Sequence, residues 1–130
     1  MRQYDLKFEG YTWDEYFYVI ANKAGVLVAY KGGLDSEGAV KLDNIIYVGE
    51  ADELNILYES HAFKTIRKQT GSQYRLFFSY AEMPKGNRAE VTQALKNAIF
   101  RENSNNNNTN VNLICEGACA LFPQELFKAK

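Results

Sequence analysis

The sequence predicts an α/β fold: a small mixed β-sheet flanked by helices, built on a β-β-α-β-α core. Three observations carry this. Two β-prone apolar runs, GVLVAY (25–30) and NIIYVG (44–49), stand close together near the middle of the chain. Two stretches of helical periodicity follow, and a strand-like segment, YRLFFSY (74–80), lies between them.

Each element has a local cause. In the first run, six residues from Gly25 to Tyr30 alternate nothing and are apolar throughout, the pattern of a strand buried on both faces. Lys31-Gly32-Gly33 ends it, and the polar, Gly-containing stretch to Asp43 reads as a long hairpin connection. Asn44 to Gly49 forms the second strand. Leu54, Leu57, Tyr58, His61 and Ala62 then recur at i, i+3, i+4, i+7 and i+8, which predicts one amphipathic helix running to about Lys68 and stopped by Gly71. Asn87 and Glu90 have the spacing of a capping box, and Val91, Ala94, Leu95, Ala98 and Ile99 continue that helix as an apolar stripe.

Outside this core, residues 1–24 read as an N-terminal extension packed on it, with Thr12 and Glu15 opening a short helix. The core itself spans 25–102. Residues 103–112, beginning NSNNNNTN, read as a mobile loop, and 113–130 as a C-terminal extension ending in a short helix with Pro123 in its first turn. A length of 130 residues is expected to form one domain with its own core.

Charge narrows the function classes. With 15 basic and 16 acidic residues the chain is not a simple polycationic nucleic-acid binder, although a local basic face is compatible with a net charge of −1. The N-terminal MRQYDLKFEGYTWDEY lacks a signal-peptide apolar stretch, and no apolar run approaches the roughly 18 residues of a membrane span. A cytoplasmic protein with no membrane partner is expected. The two cysteines, Cys115 and Cys119 in CEGAC, with the single histidine His61 far away, do not make a zinc set and are expected as reduced thiols.

At Gly25-Val26-Leu27 and Tyr47-Val48-Gly49 the chain resembles the GIY-YIG nuclease superfamily, in which a Gly-Ile-Tyr-like strand precedes a Tyr-Ile-Gly-like strand leading into a helix. The resemblance spans roughly Gly25 to Asn110, and Leu27 stands where the first motif has its tyrosine. It implies single-metal phosphodiester cleavage: a tyrosine near the attacking water, an arginine on the first helix supporting phosphate charge, and a glutamate on the next helix holding a divalent cation. Tyr47 matches that tyrosine, and His61 matches a position often held by histidine or tyrosine.

The other two positions depart from the pattern. The arginine position falls on Leu57. The glutamate position, three residues before Leu95, falls on Thr92, or on Gln93 if the register slides by one. A later family asparagine has its counterparts within Asn103 to Asn110. Leucine cannot hold phosphate charge and threonine is a poor ligand for a hard cation, and removing one electrostatic donor commonly lowers the rate by about 100–1000-fold.

The sequence therefore leads to a degenerate GIY-YIG-like domain without standard nuclease chemistry, needing no cofactor and no metal, and acting in nucleic-acid binding or protein interaction. Tyr47 and His61 are then catalytic relics, and Arg67, Lys68 and Arg88 are the candidate contacts to DNA or RNA. Two alternatives stand beside it. One is an active divergent endonuclease that uses Mg2+ or Mn2+ through Tyr47, His61, Arg67 or Arg88, with Glu90 as the metal ligand. The other is a protein-interaction module with no nucleic-acid role. Ordinary structural roles compete at each position: His61 as a hydrogen-bonded histidine on its helix stripe, Arg67, Lys68 and Arg88 as solvated charges, Glu90 as the partner of Asn87, and Trp13 as packing over the sheet.

Overall fold

The computed structural model describes residues 2–13, 23–38, 40–57, 60–69, 75–100 and 109–115. In chain order they form β1 (Arg2–Thr12), β2 (Gly25–Leu34), β3 (Val40–Ala51), α1 (Leu54–Leu57), α2 (His61–Gln69), β4 (Arg75–Glu82), α3 (Arg88–Phe100) and β5 (Thr109–Cys115). The fold is mixed α/β. Its sheet has the order β3-β2-β4-β1-β5; the first four strands are antiparallel to their neighbours, and β5 lies parallel to β1.

The sheet is organised around β2. Val26, Leu27, Val28, Ala29 and Tyr30 are fully buried, because alternate side chains point to opposite faces and both faces are covered. On one face Val26, Val28 and Tyr30 pack with Phe77, Val48 and the α3 residues Val91, Ala94 and Leu95. On the other, Leu27 and Ala29 pack with Phe78, Tyr80, Trp13, Leu54 of α1 and Phe63 of α2. The result is three layers, with α3 and the α1–α2 pair on opposite faces. One polar pair is buried among them, the hydroxyls of Tyr30 and Ser79 at 2.7 Å, each satisfied by the other.

Three sequence expectations are corrected here. Gly32 and Gly33 do not end β2. The strand runs on to Leu34 and the connection shrinks to a tight turn, in which the Asp35 carboxylate accepts from the Glu37 amide at 2.8 Å and Gly38 adopts φ 83°. Gly32 is buried, and a Cβ there would lie 2.5 Å from the Lys41 carbonyl oxygen, so glycine permits a close approach of the strands rather than a break.

Residues 2–12, expected in a packed extension, form β1 between β4 and β5. Residues 109–112, expected in a mobile loop, belong to β5, with Arg2 opposite Thr109 and Phe8 opposite Cys115. The predicted helix from Thr12 and the predicted C-terminal helix fall largely or wholly outside the described residues, as does Cys119.

The hairpin of β2 and β3 also bulges twice. Tyr47 faces Ala29 and Ile45 faces Tyr30, which leaves Ile46 as an extra residue; Asn44 faces Lys31 and Leu42 faces Gly32, which leaves Asp43 as another. Bulges of this kind twist an edge strand and break the regular ladder that another strand would pair with.

The two glycines that open and pass through β2 are expected to respond differently to substitution. At Gly25 a Cβ would collide with the backbone carbonyl of Ala81, whereas at Gly33 it meets nothing within 4 Å. Gly25→Ala is expected to lower stability by about 1–3 kcal/mol, and Gly33→Ala to be within about 0.5 kcal/mol of neutral. Urea midpoints of the two variants check this; equal midpoints would contradict the tight β2–β4 contact.

Candidate functional site

The YVG end of β3 gathers the groups with chemistry. Tyr47 and Gly49 lie two apart on one face of the strand, and the tyrosine ring lies over the glycine so closely that a Cβ on Gly49 would collide with the hydroxyl. This explains why a glycine follows at that spacing. Phe63 of α2 meets the Tyr47 ring edge-on at 5.1 Å, and Trp13 meets Phe63 at the same centroid distance. Burial first, and the charge of Glu50 second, push the Tyr47 hydroxyl above the ordinary phenol range.

The predicted single helix over 54–68 is two helices. α1 stops at Leu57, and Ser60 caps α2: its hydroxyl donates to the Leu57 carbonyl at 2.6 Å and accepts from the Phe63 amide at 3.3 Å. The break resets the helical phase, so Phe63 rather than His61 faces the core. His61 is exposed at the first position of α2, which corrects the expectation of a histidine on the buried stripe. Lys68 is exposed on the same helix, and Arg67 lies beside it in the chain within α2. Leu57, at the arginine position of the resemblance, is half-buried and packed against the aromatic cluster.

Arg88 is the larger correction. It is neither solvated nor on the surface: only 3% of it is accessible. From the first position of α3 its Nε donates to Glu50 at 2.7 Å, one NH2 group donates to Asp52, and the other donates to the Met83 carbonyl at 3.3 Å. The hydrogen bond to Asp52, then that to Glu50, raises the arginine above its usual pKa, and the same contact holds the Asp52 carboxyl below the usual carboxylate range. Because three of its donors are engaged by these acceptors and almost none of it reaches solvent, Arg88 ties the end of β3 to the start of α3.

The glutamate position is equally closed. Thr92 is buried on α3, and its hydroxyl donates to the Arg88 carbonyl one turn earlier at 2.8 Å. Gln93 is exposed and donates to Asn97 at 2.9 Å. Glu90 is exposed in the first turn of α3, three residues after Asn87, which directly precedes the helix as expected of a cap. Among the described residues no three His, Cys, Asp or Glu side chains converge as a metal site, and no helix is long and apolar enough to cross a membrane.

The candidate residues are therefore split between the two faces of the sheet. Tyr47 and α2, with His61, Arg67 and Lys68, share one face; Arg88, Glu90 and Thr92 lie on α3 against the other. Glu50 and Asp52 are not legible as site residues in the sequence. They lie 38 and 36 residues from Arg88, so no local spacing reveals the pair; the only sequence signal is their position directly after the YVG strand. Compared with protein-family models, curated proteins and solved structures, the chain matches none.

The Arg88 cluster predicts a pH dependence. Asp52 has a folded pKa below its unfolded value, so its contribution to stability is present above the unfolded carboxylate value of about 3.9 and is lost as pH falls through the folded one. Thermal melting from pH 7 to pH 3 should show a shallower acid loss for Asp52→Asn than for the wild type. Arg88→Met, which strands two carboxylates that retain solvent contact, should lower stability by about 1–3 kcal/mol at pH 7. Parallel acid limbs for Asp52→Asn and wild type would show that the pair contributes nothing.

Proposed function

We propose that this chain is a degenerate GIY-YIG-like domain that lacks the standard nuclease chemistry and acts by binding nucleic acid. The observation that carries the first half is the packing of the two positions that the chemistry needs. Leu57 belongs to the apolar cluster under α1, and Thr92 is buried with its hydroxyl turned back on its own helix. Neither can present a charge to a phosphate or a cation. The β-β-α-α-β-α order from Gly25 to Phe100 and the fit of Tyr47 over Gly49 support the resemblance in scaffold.

The divergent-endonuclease alternative needs Arg67 and Glu90 to meet in one cleft. They lie on helices that pack against opposite faces of the sheet, and Arg88 is engaged by Glu50 and Asp52. Phosphoryl transfer depends on groups held together around one developing charge, and this separation favours the non-catalytic reading.

Incubation of the full chain with Mg2+ or Mn2+ and DNA or RNA substrates, single- and double-stranded, tests the proposal. No cleavage above a buffer control is expected, and Tyr47→Phe and His61→Ala should behave as the wild type does. Robust cleavage that falls at least about 100-fold in Tyr47→Phe would overturn it.

A further inference from the structure

We infer that the outward face of α2 is the surface on which this domain receives nucleic acid, by contact with backbone phosphates rather than with bases; the inference rests on the nucleic-acid-binding function proposed above. The segment HAFKTIRKQ carries Lys64, Arg67 and Lys68 together with His61 and has no carboxylate, in a chain whose formal net charge is −1. His61, Lys64 and Lys68 are all exposed. At about 100° per residue they fall within roughly 60° of one another, and each lies about 100–160° around the helix from Phe63.

Phe63 fixes that orientation. It is fully buried, with rings of Trp13 and Tyr47 against it at 5.1 Å. The helix therefore cannot rotate without unpacking an aromatic cluster, and its basic face is presented rigidly to solvent.

Two cations elsewhere in the fold are held in ion pairs. Lys23 is paired with Glu82 at 2.9 Å, and Arg88 with Glu50 and Asp52. Among the described residues neither Lys64 nor Lys68 is paired with a carboxylate. Lysines at i and i+4 repel each other and weaken a helix by a few tenths of a kcal/mol, so the arrangement is unfavourable to the isolated fold and becomes favourable against a polyanion.

Nucleic acid fits the face better than a protein partner does. Protein interfaces have an apolar or aromatic centre depleted in charge. Among the described side chains of α2, the exposed ones are two ammonium groups and an imidazole. A cluster of this kind contacts phosphates, whose charge repeats along any sequence.

Fluorescence anisotropy of labelled DNA duplexes and RNA strands, titrated with the full chain across a salt series, tests this directly. The wild type is expected to bind with a log–log salt slope of about −2 to −3, from about −0.9 per duplex phosphate contact. Lys64→Ala/Lys68→Ala should weaken binding at least about tenfold at low salt and make the slope shallower by about two, alike for unrelated sequences. Both positions are exposed, so the circular dichroism spectrum and melting temperature should be unchanged. Lys41→Ala, at the distal end of the β2–β3 hairpin, should bind as the wild type does. Wild-type binding that the double variant retains in full would overturn the assignment to α2 and leave the proposed function standing. No binding of either nucleic acid by the wild type would overturn both, and equally tight binding of polyglutamate would overturn nucleic acid as the occupant.

Discussion

Burial of β2 on both faces is the constraint from which the rest of the structure follows. Five consecutive side chains, Val26 to Tyr30, are fully removed from solvent, and a strand can achieve that only with a strand on either side and a layer on each face. β3 and β4 supply the two neighbours. The α3 stripe covers Val26, Val28 and Tyr30, while Leu54 and Phe63 with the surrounding aromatics cover Leu27 and Ala29. At roughly 25 cal/mol per Å² of apolar surface, this run is among the strongest drives to fold in the chain, and it dictates that the helices divide between opposite faces.

That division has a chemical consequence. Residues that could cooperate if they shared a cleft are held apart by the thickness of the sheet: α2 carries the exposed basic groups on one side, and α3 carries Arg88 and Thr92 on the other. Arg88 is drawn into the structure by Glu50 and Asp52 and works as a fastening between β3 and α3. A buried arginine needs such partners, because an unpaired buried charge is far more costly than the pair. The same side chain cannot fasten the fold and also remain open to an incoming phosphate. The domain thus spends its buried cation Arg88 on two acids of its own, while Lys64 and Lys68 stand exposed on α2.

Several features were legible in sequence, for identifiable reasons. The two-sided burial of β2 follows from an unbroken apolar run, and α3 follows from Asn87 as cap and a regular stripe from Val91. Where the sequence misled, the cause was a local signal outweighed by a distant contact. Gly32 and Gly33 resemble a turn until Lys41 approaches the first of them across the hairpin. The periodicity of 54–62 resembles one helix until Ser60 bonds the Leu57 carbonyl and starts a second, moving His61 to the surface and Phe63 to the core. In β5 the alternation of Val111 and Leu113 with asparagines is masked by the polar tract before it, and the strand gains its ladder only from β1, more than a hundred residues earlier.

By itself, then, the sequence determined the α/β class, the twin strands and α3, since patterning and capping act over a few residues. It also determined which positions hold no charge, because Leu57 and Thr92 cannot acquire one in any fold. Only the tertiary structure decided which charges are spent and which are open. Arg88 and Lys68 are alike in sequence as cations on helices, and what distinguishes Arg88 is that Glu50 and Asp52, 38 and 36 residues away, are brought against it when β3 ends beside the start of α3. Electrostatic pairing depends on distance in space, and chain spacing carries no record of it.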